Sequence, residues 1–297
     1  MICFVGHSTR SSGVIRGTQI ADRLKGANFI EAGNERALNK TRNRTCLIVR
    51  QPEPRAASIL KANGCRVGYD LLDRPVSDYH DEFARGSKDG DFDWSRYDSK
   101  HIDFFVVNNE LARIRLIDSG LQKPVHVIPH HTANFESYKN DVLDKPLRVA
   151  YVGIPNQFSQ QDAIRKLCES HDARLISVNP KTRDECVAVM SVVDVGVIFV
   201  EQSEKIPYTL QYKPNTKLSN FQSFGIPTVA VPYASFDEFG GSAWARAGSF
   251  DEFSFKLKEL LTNVELRREL NINAWQHAKM FQIDNIVRDY YQPLLEH

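Results

Sequence analysis

The sequence has little that would tie it to a disulfide scaffold, a membrane or a polyanion. Its five cysteines, Cys3, Cys46, Cys65, Cys168 and Cys186, are scattered, with no C-x-x-C pair and no histidine at metal-ligand spacing. They are expected to be buried reduced thiols rather than bridges or a metal site. Formal net charge is +1, with both signs spread along the chain, so there is no bulk attraction to nucleic acid or anionic lipid. The first apolar run, Met1–Val5, is too short and too soon followed by Gly6-His7-Ser8 for a signal peptide or a membrane span, and a cytoplasmic location is expected. Leu295-Glu296-His297 reads as the junction to a histidine tag and takes no part in the functional argument. Motifs for whole enzyme classes are also missing: there is no G-x-x-x-x-G-K-[ST], no G-x-S-x-G, no H-E-x-x-H, and no G-x-G-x-x-G after a strand. Asp91-Phe92-Asp93 is a D-x-D, but it follows Lys88-Asp89-Gly90 in a polar stretch and reads as a surface loop.

What is present is an ordinary soluble composition, 42% hydrophobic and 25% charged over 297 residues. That length exceeds what one core usually serves and predicts two domains of about 140 residues each. Short apolar runs rich in β-branched and aromatic residues alternate with amphipathic stretches, the pattern of βα units around a mostly parallel sheet. The first half offers strands at Ile2–Val5, Asn28–Ile30, Cys46–Val49, Arg66–Tyr69, Phe104–Val107 and His126–Ile128. Helical spacing runs over Gly13–Leu24, Pro54–Ala62 and Glu110–Ser119. A polar connector with a proline, Asp141–Pro146, precedes a fresh strand at Leu147–Val152, which places the domain boundary there. The second half continues with strands Arg174–Val178, Val195–Val200 and Pro227–Val231 and with helices near Gln160–Glu169, Arg183–Val192 and Asn215–Phe224. It ends in helices over Phe250–Leu261, Glu265–Phe281 and Asp284–Tyr291.

The stretch Tyr212–Val231 carries the most chemistry. Pro214 suits a helix start, Asn215 or Thr216 can cap it, and Leu218, Phe221 and Phe224 form a stripe to be buried. Gly225 ends the helix before a core strand. Lys213 and Lys217 fall at its positive end, where each cation costs about 0.3–1 kcal/mol against the macrodipole. An anion reverses that sign. Backbone N–H groups, two ammonium groups and donors from Asn215, Thr216 and Ser219 together suit a diphosphate.

Lys-Pro-Asn-x-Lys-Leu followed by Gly-Ile-Pro-x-Val, from Lys213 to Val229, resembles the donor-binding segment of GT-B-fold glycosyltransferases, especially the retaining, nucleotide-sugar-dependent, family 4-like group. The resemblance implies an α/β fold of two Rossmann-like domains facing across a cleft, residues 1–140 for the acceptor and 146–283 for the donor. It also implies a C-terminal helix, 284–294, crossing back to the first domain. It implies a hexosyltransferase of polysaccharide biosynthesis that moves a sugar from a UDP- or GDP-sugar to a carbohydrate or lipid-linked acceptor, without an obligatory metal. Two positions that are acidic in many retaining members hold Tyr212 and Asn220 here. Asn220 still hydrogen-bonds ribose hydroxyls, and Tyr212 stacks or donates near phosphate or sugar. A sugar-nucleotide epimerase of the same fold and an inactive binding scaffold remain open alternatives.

In paired Rossmann-like domains ligands collect outside the carboxyl ends of the strands. In the first half these ends hold Gly6-His7 in a glycine-containing loop that, by the resemblance, approaches the acceptor and the donor phosphates, Asp73 as a candidate base for an acceptor hydroxyl, and His130-His131 at the predicted mouth of the cleft, with His130 and Lys217 as candidate catalytic groups. In the second half they hold Gly153-Ile154-Pro155-Asn156, Asn179 and Glu201-Gln202. Base, ribose and phosphate are expected at Gly153, Asn156 and Asn179. Adjacent histidines diverge in an extended segment and are not expected to share a metal. The basic faces of the last helices are read as solvated rather than membrane-bound.

Overall fold

A computed structural model describes residues 1–50, 53–72, 99–118, 120–136, 138–143, 147–201 and 213–295. They divide into two compact units, one of 1–131 with 213–214 and 283–295, the other of 132–201 with 215–282. The chain thus leaves the first unit at His131, ahead of the Asp141–Pro146 connector. The intervening residues belong with the second unit because they bond to it: Asn140 donates to the carbonyls of Met190 and Val193 at 2.7 and 2.9 Å, and the Tyr138 ring stacks on Phe224.

The first unit is built on a six-stranded parallel sheet: β1 (Ile2–Gly6), β2 (Asn28–Glu31), β3 (Thr45–Val49), β4 (Arg66–Leu72), β5 (Phe104–Val107) and β6 (Val125–Val127), in the order β2-β1-β3-β4-β5-β6. Every residue of β1 and of β5 is buried, as a parallel strand covered by helices on both faces requires. The crossovers are α1, α2 (Glu35–Lys40), α3 (Pro54–Ala62) and α4 (Glu110–Asp118). Helix α1 consists of Ser11–Gly13, a widened π turn over Val14–Thr18, and Gln19–Arg23. Gly13–Leu24 was expected as one regular helix; the π turn interrupts it and carries Arg16 into the interior.

Arg16 is fully buried and ties four parts of the unit together. Its Nε donates to Asp70 on β4 at 2.9 Å, its Nη1 donates to the carbonyls of Ile128 and Pro129 beyond β6, and its guanidinium lies 5.9 Å from the ring centre of Tyr291. Tyr291 belongs to the C-terminal helix α11, formed by Ile283–Ile286 and a π turn over Val287–Tyr291, whose ring also meets Phe4 edge-on. The C-terminal segment is anchored as well through Leu294, whose carbonyl accepts from Arg66 at 2.9 Å. The expected return of the last helix to the first unit is what the chain does.

The second unit has a five-stranded parallel sheet of β7 (Leu147–Val152), β8 (Ala173–Val178), β9 (Val195–Ile198), β10 (Thr228–Ala230) and the two-residue β11 (Ala245–Arg246), in the order β11-β10-β9-β7-β8. Its helices are α5 (Gln161–Glu169), α6 (Arg183–Met190), α7 (Thr216–Ser223), α8 (Ala234–Phe239), α9 (Phe250–Thr262) and α10 (Val264–Ala278). The predicted stripe on α7 is buried, with Leu218, Phe221 and Phe224 at 1% exposure or less. In both sheets the chain steps from its first strand to one side, then returns to the other, so the strand order reverses at β1/β3 and at β7/β9. A crevice opens outside the carboxyl ends of the strands at such a reversal.

All five cysteines are free, and Cys3 and Cys46 stand opposite each other in register between β1 and β3. No helix among the described residues is long and apolar enough to cross a membrane, and no group of ligating side chains among them is arranged for a metal ion.

Removing one member of the Arg16–Asp70 pair leaves a buried charge uncompensated, which costs about 3–5 kcal/mol. Arg16→Met is therefore expected to lower the urea midpoint of the first unit steeply, and Arg16→Met/Asp70→Leu to recover most of the loss, as read by fluorescence-detected unfolding.

Candidate functional site

The reversal at β7/β9 brings together residues far apart in sequence. Strand β7 ends in Tyr151-Val152, Gly153 follows it, and α7 starts at Thr216. Gly153 has φ +154°, a conformation essentially confined to glycine. A β-carbon there would stand 2.9 Å from Lys217 Nζ and 3.2 Å from the Tyr151 hydroxyl. Lys217, in the first turn of α7, reaches across to this bare backbone: its Nζ donates to the Tyr151 hydroxyl at 2.8 Å and lies 4.6 Å from the centre of that ring. The Tyr151 hydroxyl in turn donates to the Ile154 carbonyl at 3.2 Å, and the ring stacks in parallel on Phe158, so the lysine's support is itself held on two sides. Burial pushes the Tyr151 phenol up to about 12, keeping it neutral beside the ammonium.

Asn215 stands at the N-cap position of α7, but its side chain makes no cap bond. Instead its amide nitrogen donates to Ser219 Oγ at 2.6 Å, and Ser219 bonds back to the Asn215 carbonyl. The expected cap by Asn215 or Thr216 is thus replaced by a buried side-chain bond inside the helix. The N-cap side chain does not cap the positive end of the helix, and a lysine stands in its first turn. This corner of the second unit combines a helix N-terminus, a fixed ammonium and an exposed-backbone glycine turn, the elements of an anion cradle.

Of the residues singled out from sequence, Gly153 and Lys217 meet here, with Asn215 and Thr216 at the helix start; Lys213 precedes them along the chain. Asn220 lies half-buried further along α7, and Asn179 follows β8 at the same edge of the sheet. Asn156 falls in the short turn Pro155–Gln157, of which only the backbone is described. Tyr212 and Asp73, like the Asp91-Phe92-Asp93 stretch, lie outside the described residues. Tyr151 escaped the sequence reading because it looks like one more aromatic in a core strand; the signal was its place two residues before a glycine at a strand end.

The sites expected in the first unit stand elsewhere. His130 is 3% exposed and His131 5%. His131 Nε2 bonds the Ile15 carbonyl at 2.6 Å, and both rings neighbour the Arg16 guanidinium. Gly6 ends β1, and His7 pairs with Glu53 at 2.9 Å.

No family model and no curated protein matches the sequence. Solved structures do match. HepE of Anabaena, in complex with UDP and glucose, superposes with a TM-score of 0.68 at 10% identity, covering 100% of this chain and 99% of that one. The fold is GT-B. The lipopolysaccharide outer core galactosyltransferase WaaB, in its apo form, gives 0.60 at 9% identity with 99% of each chain covered. The pneumococcal O-GlcNAc transferase GtfA, in complex with UDP and GlcNAc, gives 0.60 at 11% identity, covering 89% of this chain and 59% of that one. Apart from β11, the strands of both sheets are those predicted from the alternation of apolar runs.

Burial, with the nearby Arg16, holds the His131 imidazole down at about 4 and His130 well below its ordinary 6.5. Unfolding lets both take up protons, so their contribution to stability is complete above pH 6.5 and is lost as pH falls toward 4. The slope reaches about 1.4 kcal/mol per pH unit for each ring. Urea midpoints of the wild type are expected to fall over that window, and His131→Gln to show a shallower fall.

Proposed function

We propose that the protein is a glycosyltransferase that binds a nucleotide-sugar donor on its second unit and transfers the sugar to a hydroxyl of a carbohydrate acceptor. The observation that carries this reading is the Lys217 ammonium held against Gly153 at the β7/β9 reversal, over an uncapped helix start. The positive end of a helix and an ammonium both favour an anion, and a diphosphate offers charge to be shared between the ammonium and N–H groups. In the transfer itself, negative charge grows on the leaving nucleoside diphosphate. Lys217 and the helix start act on that charge as preorganised stabilisers, so no side chain need reorganise as the glycosidic bond breaks.

Uridine is the preferred base, because HepE and GtfA were both captured with UDP, and HepE also with UDP-glucose; a GDP-sugar is the alternative. Lys213 is assigned to the same diphosphate, Asn220 to the ribose, and Gly153, Asn156 and Asn179 to the base and phosphate edge. Tyr212 is assigned to the sugar or phosphate, and Asp73 to the acceptor. Retention of anomeric configuration, independence from a metal and a place in polysaccharide synthesis complete the reading, carried by resemblance to the family. His130 is reassigned from catalysis to the buried support around Arg16, since a ring at 3% exposure and neutral at pH 7 offers nothing to a substrate. Free thiols suit a reducing, cytoplasmic setting.

A thermal-shift panel of UDP, GDP, ADP, TDP and CMP tests the donor site. UDP at 100 times its dissociation constant stabilises by about 2.7 kcal/mol, a rise of about 5–10 °C for a unit of this size. Lys217→Ala is expected to weaken UDP by about 10- to 100-fold, the loss of a charge-assisted bond worth about 1.5–3 kcal/mol. Gly153→Val, which drives a side chain into the space of Lys217, is expected to do the same. A UDP response unchanged by both substitutions refutes the assignment, and no response to any nucleotide favours the scaffold alternative. Incubation with UDP-glucose alone separates the epimerase, which alters the sugar without an acceptor.

A further inference from the structure

Tyr233 lies just beyond the Tyr212–Val231 stretch, past the carboxyl end of β10, at the same edge of the second sheet where Gly153 follows β7. Its backbone is pinned there. The Val231 N–H donates to the Ile198 carbonyl of β9 at 2.9 Å, and the Tyr233 carbonyl accepts from the N–H groups of Phe236 and Asp237 at 2.9 and 3.0 Å. The ring is held as firmly: it stacks on Phe236 with centres 4.3 Å apart, and Phe236, itself fully buried, meets Trp244 edge-on. Tyr233 as a whole is 5% exposed. Yet its hydroxyl makes no hydrogen bond among the described residues, where an enclosed phenol normally finds a partner.

The neighbouring phenol is Tyr151, which carries Lys217. Burial, with Tyr151 nearby, holds the Tyr233 phenol well above its ordinary range, so it keeps its proton. Tyr151 has no proton to offer a ligand at this corner: its hydroxyl accepts from Lys217 at 2.8 Å and gives its own hydrogen to the Ile154 carbonyl at 3.2 Å. Of the two phenols, Tyr233 alone keeps an uncommitted donor. Phosphate oxygens accept and do not donate, so a diphosphate drawn to Lys217 and the start of α7 takes the N–H and O–H groups that stand beside them. A neutral phenol is also less costly to enclose in the empty site than a further cation.

We infer that the Tyr233 hydroxyl donates to the donor's diphosphate, as a third binding group beside Lys217 and the first turn of α7. The inference rests on the donor reading of this corner. It assigns Tyr233 to the phosphates and not to the base, so removing its one oxygen weakens ligands that carry a diphosphate and spares those that do not.

Isothermal titration of the full-length chain with UDP, inorganic pyrophosphate and uridine compares the wild type with Tyr233→Phe, which keeps the ring and its stack on Phe236, and with Lys217→Ala. Tyr233→Phe is expected to weaken UDP and pyrophosphate about tenfold, the loss of a hydrogen bond to a charged group, and to leave uridine unchanged. Tyrosine labelled at the ring Cζ gives a readout that packing alone does not move. The Tyr233 resonance, assigned by its absence from Tyr233→Phe, is expected to shift with UDP and pyrophosphate but not with uridine. Undiminished binding of UDP to Tyr233→Phe, an equal loss for uridine, or a Cζ resonance unmoved by UDP overturns the inference; the donor reading survives that outcome if Lys217→Ala still weakens UDP. If the wild type binds pyrophosphate through Tyr233 but does not bind UDP, the nucleotide-sugar reading fails and the diphosphate contact stands. A wild type that binds neither refutes both.

Discussion

A lysine set at the positive end of a helix is a constraint that the second unit is shaped to keep. Lys217 Nζ stays there because Tyr151 receives it at 2.8 Å, because Phe158 and the Ile154 carbonyl fix Tyr151, and because Gly153 has no side chain to compete for the space. Each of these depends on the sheet. β7 must end beside α7, which follows from the strand order reversing between β7 and β9. The buried face of α7, Leu218, Phe221 and Phe224, holds the helix down so that its first turn cannot swing away from that edge.

The first unit uses the same topology for a different balance. Its interior ionic pair, Arg16 with Asp70, has every reason to be structural: it is fully buried, it spans β4, the exit of β6 and the C-terminal helix, and beside it stand two histidines that burial, with Arg16, keeps neutral. Its crevice, by contrast, is bordered by the half-exposed His7–Glu53 pair and by Glu31.

Much of this was legible in the sequence wherever the cause is local. Runs such as Ile2-Cys3-Phe4-Val5 and Leu147-Arg148-Val149-Ala150-Tyr151-Val152 announce parallel strands, and the proline and glycine around α7 announce where that helix starts and ends. The short elements Glu35–Lys40, Ala234–Phe239 and Ala245–Arg246 went unseen because they are too brief to show a period. The Arg16–Asp70 bond joins residues 54 positions apart and the Tyr151–Lys217 bond residues 66 apart, so neither leaves a periodic trace. Arg16 also reads as an exposed residue of an amphipathic helix until the π turn rotates it inward. His130 follows a strand, where ligand-facing residues sit, and the burial of its ring beside Arg16 is set by packing that the sequence does not display.

The central claim is that the corner formed by Gly153, Ile154 and the first turn of α7 receives a nucleoside diphosphate. Hydrogen–deuterium exchange of the full-length chain with and without saturating UDP tests it most directly. The account predicts slowed exchange at Gly153–Ile154 and at Thr216–Leu218, with the loop after β1 unchanged. Protection confined to the first unit, or none at either segment despite bound UDP, would contradict it.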